Sequence, residues 1–141
     1  ILNEKTNDLL IEIHRLVYQN RNKINSILIG QPSGLMAYSI TKKTPVSVTI
    51  PESYIFLKDS ISISSKNLSD IPQIISEMSN NYNLIIVENM FVISFGESVF
   101  ETFNRMEVGE FNAKSILADY TSASINLLNK KQIEDLDKKY F

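Results

Sequence analysis

The sequence predicts a layered α/β fold with a mostly antiparallel central sheet flanked by helices. Segments with the apolar spacing of amphipathic helices alternate with short apolar runs that are typical of buried strands. Two of these runs, 84–89 and 91–96, lie too close together for the helical crossover that joins parallel strands. The 141 residues are enough to bury a substantial core, and we predict a single domain over 1–141.

The chain begins with an amphipathic helix that is followed by a strand and a second helix. Residues 7–20 place five apolar side chains on one face at helical spacing: Leu9, Leu10, Ile13, Leu16 and Val17. The Ile-rich run 25–31 then predicts a buried strand. Segment 32–40 opens with a proline and a serine, which favour the start of a helix.

The middle of the chain predicts two strands and a helix. Segments 45–50 and 60–65 alternate apolar and polar residues with period two, and the first is bounded by prolines. Segment 69–81 has Ser69 as a candidate cap. Its predicted apolar face consists of Ile71, Ile74, Ile75 and Met78.

The longest predicted helix covers residues 98–122. Ser98 and Glu101 form the S-x-x-E pattern of a capping box at its start. Gly109 in its interior costs about 1 kcal/mol relative to alanine and therefore suggests that another backbone approaches closely. The predicted buried stripe is Val99, Phe103, Met106, Ala113, Leu117 and Tyr120. A short helix over 130–139 follows this element.

Composition excludes several classes of partner. The net charge is −2 and the 14 basic residues are scattered, so we predict no binding to nucleic acid. No apolar run is long enough to span a bilayer, so we predict no membrane association. Cysteine is absent, which removes disulfides and thiolate metal sites and agrees with a reducing compartment. We therefore expect a cytoplasmic protein.

The chain has a single histidine, His14, in the first predicted helix. A catalytic zinc site usually has three protein ligands, so aspartate or glutamate would have to supply the others. A Ser-His-Asp triad would have to use His14 itself, among apolar neighbours. We favour a structural role for His14 over that of a catalytic base.

Carboxylates and glycines elsewhere also have two interpretations. Glu107 and Glu110 could form a catalytic carboxylate pair, but they lie one helical turn apart, and we favour a solvated or interface face. Gly30 and Gly34 could belong to a phosphate-binding loop. A turn from strand to helix needs such glycines as well, and no lysine completes the phosphate motif.

Two stretches carry polar residues in an order that resembles a known family. Residues 13–32 contain His, Tyr, Arg and Asn ahead of a buried strand: His14, Tyr18, Arg21 and Asn25. Residues 87–117 contain Asn, an apolar strand, Gly and a glutamate-bearing helix: Asn89, Gly96, Glu101, Glu107 and Glu110. This order is similar to the class II aldolase/adducin superfamily, which includes zinc-dependent fuculose-phosphate aldolase and ribulose-phosphate epimerase. The resemblance implies the layered α/β domain of that family.

The resemblance also implies where the catalytic residues should be. The family holds zinc with a His-x-His motif and the histidine of Asn-His-Gly, and those three positions fall on Ile29, Gln31 and Met90. The acid/base glutamate of the family falls on Leu10, and Phe91 replaces the glycine after the last ligand. We therefore predict no zinc, no other cofactor and no catalytic residue, with Met90 as an apolar filler and Ile29 and Phe91 closing the pocket further.

The family domain has an N-terminal section whose Gly- and Ser-rich loops bind the substrate phosphate. The resemblance implies that this section is missing here and that the chain is the C-terminal two-thirds of the family domain. The first functional hypothesis is a pseudoenzyme with a structural, assembly or regulatory role. The alternative is a sugar-phosphate aldolase or epimerase-type lyase that relies on an absent N-terminal section or on a partner chain.

Assembly is expected under the first hypothesis. The resemblance implies a homo-oligomer, usually of four subunits, and leaves room for another protein partner. The helix over 98–122 has more apolar residues than one buried stripe needs, including Phe100 and Phe111. Part of its surface is therefore expected to face a neighbouring subunit.

Overall fold

The structure is a computed structural model that describes residues 4–41, 43–58, 60–118 and 125–141. Its helices are α1 (Glu4–Asn20), α2 (Ser33–Ser39), α3 (Pro51–Leu57), α4 (Ile71–Met78), α5 (Val99–Ala118) and α6 (Lys130–Tyr140). Its strands are β1 (Ser26–Gly30), β2 (Ser60–Ile63), β3 (Leu84–Val87) and β4 (Phe91–Gly96). A 3₁₀ turn over Leu68–Asp70 leads into α4.

The four strands form one mixed sheet in the order β1-β4-β3-β2. β4 is antiparallel to both β1 and β3, whereas β2 is parallel to β3. The parallel pair is possible because α4 separates β2 from β3 along the chain and provides the crossover. The predicted α/β fold with a mostly antiparallel sheet and flanking helices is confirmed.

Helices cover both faces of the sheet, and each face has its own core. On one face, α1 and α4 place Ile13, Val17, Ile71 and Ile75 against the side chains of Ile63, Ile85, Val87, Phe91, Ile93 and Phe95. On the other face, α2, α3 and α5 enclose Leu35, Tyr38, Leu57, Leu84, Ile86, Val92, Met106, Ala113 and Ile116. Successive residues of β3 alternate between the two cores because side chains of a strand point to opposite faces.

A three-residue turn joins β3 to β4. Val87 pairs with Phe91, and Asn89 at the centre of the turn has a φ of 57°. Asparagine tolerates this left-handed conformation better than most residues with a side chain. The tight turn places Met90 directly before β4, beside the end of β1.

The prediction of a strand over 45–50 is wrong, and α3 was not predicted. Backbone groups of this segment bond outside the sheet: the carbonyl oxygen of Val46 accepts from Asn112 Nδ2 at 2.8 Å, and that of Val48 accepts from the Leu128 amide at 2.8 Å. Pro51 then occupies the first turn of α3, where its missing N–H costs nothing. A half-buried loop therefore produced the period-two pattern.

The buried stripe of α5 also differs from the prediction. Val99 and Phe103 are 76% and 53% exposed, and Tyr120 lies outside the described residues. The observed buried residues are Thr102, Met106, Gly109, Asn112, Ala113 and Ile116. Two polar residues can occupy this stripe because both are hydrogen-bonded: Thr102 to the carbonyl oxygen of Ser98, and Asn112 to that of Val46.

The close approach at Gly109 involves side chains. A Cβ atom there would lie 3.2 Å from Cδ1 of both Leu35 and Leu84. The expectation that another backbone approaches Gly109 is therefore wrong. The glycine instead lets two leucines pack against α5.

The predicted cap of α5 is present in modified form. Ser98 Oγ accepts from the Glu101 amide at 3.1 Å, but Glu101 Oε2 accepts from the amide of Glu97, one residue before the cap. A complete capping box stands at the start of α6, where Asn129 and Gln132 bond reciprocally.

Candidate functional site

A cavity of about 420 Å³ lies where the end of β1, the β3–β4 turn and α1 meet. Its walls are formed by Leu10, Ile29, Gly30, Gln31, Asn89, Met90 and Phe91. The structure therefore brings together all four positions that the family resemblance assigned to a former metal and acid/base site: Leu10, Ile29, Gln31 and Met90.

The sheet register explains why these residues converge. Gly30, the last residue of β1, pairs with Val92, so the residue that follows the strand, Gln31, lies beside the start of β4 and the turn that holds Met90. Leu10 reaches the same place from α1, which packs on this face of the sheet. One helix, one strand end and one turn thus supply the site.

The walls of the cavity are mainly hydrocarbon. Leu10, Ile29 and Met90 are half-buried and pack against the core between α1 and the sheet. Phe91 is 5% exposed and belongs to that core. Ile29 and Phe91 both line the cavity, and the Phe91 side chain also packs into the core, so the pocket is not completely closed.

Among the described residues, one side-chain hydrogen bond crosses the site, and it joins Gln31 to Met90. Gln31 Nε2 donates to the main-chain carbonyl oxygen of Met90 at 2.6 Å. This bond ties the end of β1 to the β3–β4 turn. The resemblance had indicated Gln31 only as a former zinc-ligand position, and this cross-strand contact was not predicted.

These residues do not fit a zinc ion. Leu10 and Ile29 have no lone pairs, the Met90 thioether is a soft ligand, and the Gln31 amide turns its nitrogen towards Met90. Within residues 4–41, 43–58, 60–118 and 125–141, no group of three or more His, Cys, Asp or Glu side chains could hold a metal. The loss of ancestral ligands at these positions stays a prediction from the resemblance.

His14 is bonded within its own helix. Its Nδ1 atom lies 2.8 Å from the carbonyl oxygen of Leu10, and its ring is 6.1 Å from that of Tyr18 at an angle of 53°. A carbonyl can only accept, so Nδ1 carries the proton. This geometry favours the structural interpretation of His14.

Glu110 and Glu107 do not form a carboxylate pair. Glu107 is exposed, whereas Glu110 accepts from the amides of Gly34 and Leu35 at 2.9 and 3.0 Å. Burial of the Glu110 carboxyl would raise its pKa. The bonds from Lys114, these two amides and the Ser33 hydroxyl outweigh burial and hold that pKa below its usual value. Glu110 therefore fastens α2 to α5, a role the sequence reasoning missed.

The two glycines near this region have structural explanations. A Cβ atom on Gly34 would lie 2.8 Å from Lys114 Cγ and 3.1 Å from the Lys114 amide nitrogen, so glycine permits α2 to approach α5. At Gly30 the nearest atom would be Pro32 Cδ at 3.8 Å. Neither glycine has a positive φ.

Comparison of the sequence with known protein families gives a match over most of the chain. Residues 4–117 match the sequence profile of the family described as the class II aldolase and adducin N-terminal domain. No curated protein matches the chain at a significant level.

Solved structures resemble this chain over most of its length. YgbL from Escherichia coli, a candidate aldolase, epimerase or decarboxylase, superposes with a TM-score of 0.80 at 19% identity. YgbL from Klebsiella pneumoniae gives 0.77 at 20% identity, and each comparison covers 91% of this chain and 64% of the other. L-fuculose 1-phosphate aldolase from Glaciozyma antarctica gives 0.73 at 16% identity, covering 90% of this chain and 49% of that enzyme. At such identities the likeness establishes the fold alone, and the chain spans less than two-thirds of these proteins.

None of the helices described in the structure is both long and apolar enough to cross a membrane.

Proposed function

Because this chain belongs to the class II aldolase and adducin family, we propose that it is a catalytically degenerate member with a structural, assembly or regulatory role. The proposal concerns the chain described here, which spans 64% of the length of the two YgbL proteins.

The convergence of Leu10, Ile29, Gln31 and Met90 around one cavity carries the proposal. The family resemblance places zinc ligands at three of these positions and a general acid/base at the fourth. Here three side chains are apolar, and the fourth is an amide whose nitrogen bonds to a main-chain oxygen. Zinc-dependent aldol chemistry needs a Lewis acid to polarise the carbonyl and a group that moves a proton. None of these four side chains can provide either function.

The assembly role is supported by the outer surface of α5. Val99, Phe100, Phe103 and Phe111 are between 53% and 76% exposed. At about 100° per residue they lie within about 120° of the helix circumference, opposite its buried stripe. We propose that a second copy of the chain covers this surface, as the family resemblance to ring-forming oligomers implies.

A second candidate is a sugar-phosphate lyase or epimerase that takes catalytic groups from another segment or chain. The names of the similar structures, an L-fuculose 1-phosphate aldolase among them, favour it. A partner would then have to supply the metal ligands that the family draws from this segment.

Metal content and aldol cleavage distinguish the two candidates. Protein purified without added chelator would be dialysed against a mild chelator, analysed for zinc and assayed with L-fuculose 1-phosphate. An intact fuculose-phosphate aldolase treated in parallel is the control. We expect the control alone to retain stoichiometric zinc and to cleave. Stoichiometric zinc together with cleavage by this chain would support the lyase instead.

A further inference from the structure

We propose that the cavity between α1, the end of β1 and the β3–β4 turn binds a small uncharged molecule that has an apolar body and one hydrogen-bond donor. This inference rests on the proposed function, because it assigns a ligand class to the same site after loss of its aldol chemistry.

The size and walls of the cavity favour an apolar body. Its volume of about 420 Å³ falls within the range of about 300–1,000 Å³ that is usual for small-molecule sites. Leu10, Ile29 and Met90 supply hydrocarbon and thioether surface that is continuous with the core. Methionine adapts its shape to a ligand and makes favourable contacts with aromatic rings.

The polar groups of the cavity favour a donor on the ligand. Gln31 Nε2 is already bonded to the carbonyl oxygen of Met90. Gln31 is an exposed residue at the edge of the cavity, and its amide oxygen, Oε1, is left as an acceptor to which a ligand N–H or O–H could donate. Asn89 contributes a second amide, at the exposed side of the site.

The charge of the cavity disfavours a phosphate ester. The described residues that line it include no lysine, arginine or histidine, and no aspartate or glutamate. A phosphate group that entered these apolar walls would lose hydration without gaining a counter-charge. An uncharged ligand does not meet this cost.

Indole, benzofuran and L-fuculose 1-phosphate form a suitable set of probes. Indole and benzofuran are nearly isosteric, but only indole has an N–H donor, and the sugar phosphate represents the family chemistry. Each would be titrated into ¹⁵N-labelled protein, and Kd obtained from chemical-shift changes. We expect indole to shift the amides of Gly30, Gln31 and Asn89–Phe91, and the sugar phosphate to leave them unchanged.

Two variants test the wall and the acceptor separately. Leu10→Gln should raise the Kd of indole about fivefold or more, because it replaces apolar surface with an amide. Ile11→Gln is the control, since Ile11 is 66% exposed on the same helix and does not line the cavity. The acceptor is tested by comparing indole with benzofuran. In the unmodified chain, benzofuran should bind about twofold to tenfold more weakly than indole. Gln31→Met should remove that difference. Because both ligands are measured on the same variant, a general effect of the substitution on binding cancels in the ratio of the two Kd values.

Two outcomes would overturn the inference, and a third would contradict the proposed function on which it rests. If indole does not bind at this site, the proposed ligand class is rejected, while the proposed loss of aldol chemistry is unaffected. An indole-to-benzofuran ratio unchanged by Gln31→Met would reject the assigned donor. Shifts at these amides with L-fuculose 1-phosphate, accompanied by its cleavage, would instead contradict the proposed function.

Discussion

The side-chain amide of Gln31 donates a 2.6 Å hydrogen bond to the main-chain carbonyl oxygen of Met90. The two residues are 59 positions apart in the chain, and the bond joins the end of β1 to the β3–β4 turn. The family resemblance places zinc ligands at both positions. We propose that this hydrogen bond holds the strand end and the turn together where a shared metal ion would otherwise do so.

Loss of this bond should cause a modest destabilisation. Gln31→Leu is expected to lower the free energy of unfolding by about 0.5–1.5 kcal/mol, the range for a neutral hydrogen bond. Gln73→Leu is the control, because the hydrogen bond of the Gln73 side chain to another described residue is to the exposed Glu77 on its own helix. Urea denaturation of both variants measures the difference. Equal effects from the two substitutions would show that the Gln31–Met90 bond contributes nothing specific.

Glu110 should make stability depend on pH. Its pKa is depressed in the folded state, so its contribution is present above the ordinary glutamate pKa of about 4.3 and is lost as pH falls through the lower folded pKa. Glu110→Gln should therefore destabilise the protein at pH 7 and reduce the loss of stability on acidification. Glu107→Gln, at an exposed position, should change neither quantity. Parallel pH-dependent denaturation curves for Glu110→Gln and the unmodified protein would contradict this account.

Substitution of alanine for glycine should change stability differently at Gly34 and at Gly30. Gly34→Ala is expected to cost about 1–3 kcal/mol, because its Cβ would come within 3.1 Å of the Lys114 amide nitrogen and force α2 away from α5. Gly30→Ala should be neutral or slightly stabilising, since the added atom meets nothing closer than 3.8 Å and alanine restricts the unfolded chain. Thermal melts compare the two. A larger loss at Gly30 would show that the packing at Gly34 is misassigned.

The sequence predicted the layers and the site better than it predicted the surfaces of individual helices. The runs that became β3 and β4 are apolar on both faces, and this strong signal gave correct strands. On α5, Thr102 and Asn112 can be buried because their side chains donate to carbonyl oxygens, Thr102 to that of the nearby Ser98 and Asn112 to that of the distant Val46. A hydrophobic pattern does not reveal such bonds. The segment 45–50 failed for the same reason, since its partners are Asn112 and Leu128, far along the chain.

The site positions were predictable because the resemblance fixed them by order along the chain. Leu10, Ile29, Gln31 and Met90 do line one cavity. The cavity that remains beside Phe91 was not predictable, because the direction of that side chain depends on the packing of the core. The roles of Glu110 and of the Gln31 amide likewise depend on contacts between segments that are distant in sequence.

The exposed aromatic residues of α5 should control self-association. Phe103→Asp together with Phe111→Asp is expected to convert the proposed homo-oligomer to monomer, because charges would be buried at the subunit contact. Ile11→Asp, at a 66% exposed position on α1, is the control and should leave the assembly intact. Light scattering coupled to size-exclusion chromatography gives the masses. A monomeric unmodified protein at high concentration would refute the assembly.

Introducing three imidazoles at the proposed ligand positions tests the site directly. In the variant Ile29→His, Gln31→His, Met90→His, all three rings would face the cavity that these residues now line. Zinc affinity should rise because neutral imidazoles are strong zinc ligands. The gain should be smaller than in a natural site, because the variant adds no hydrogen-bond partners that orient the three rings. Cleavage of L-fuculose 1-phosphate should stay absent, because Leu10 leaves out a proton-transfer group whose contribution is about 10²–10⁴-fold.

The most direct measurement is therefore a calorimetric zinc titration of the unmodified protein beside this triple variant, with Glu107→His as a control for an isolated surface imidazole. The account predicts no zinc binding by the unmodified chain or the control, and one zinc ion per chain in the triple variant. Stoichiometric binding by the unmodified chain, or no gain in the triple variant, would contradict the claim that a lost metal site lies at Ile29, Gln31 and Met90.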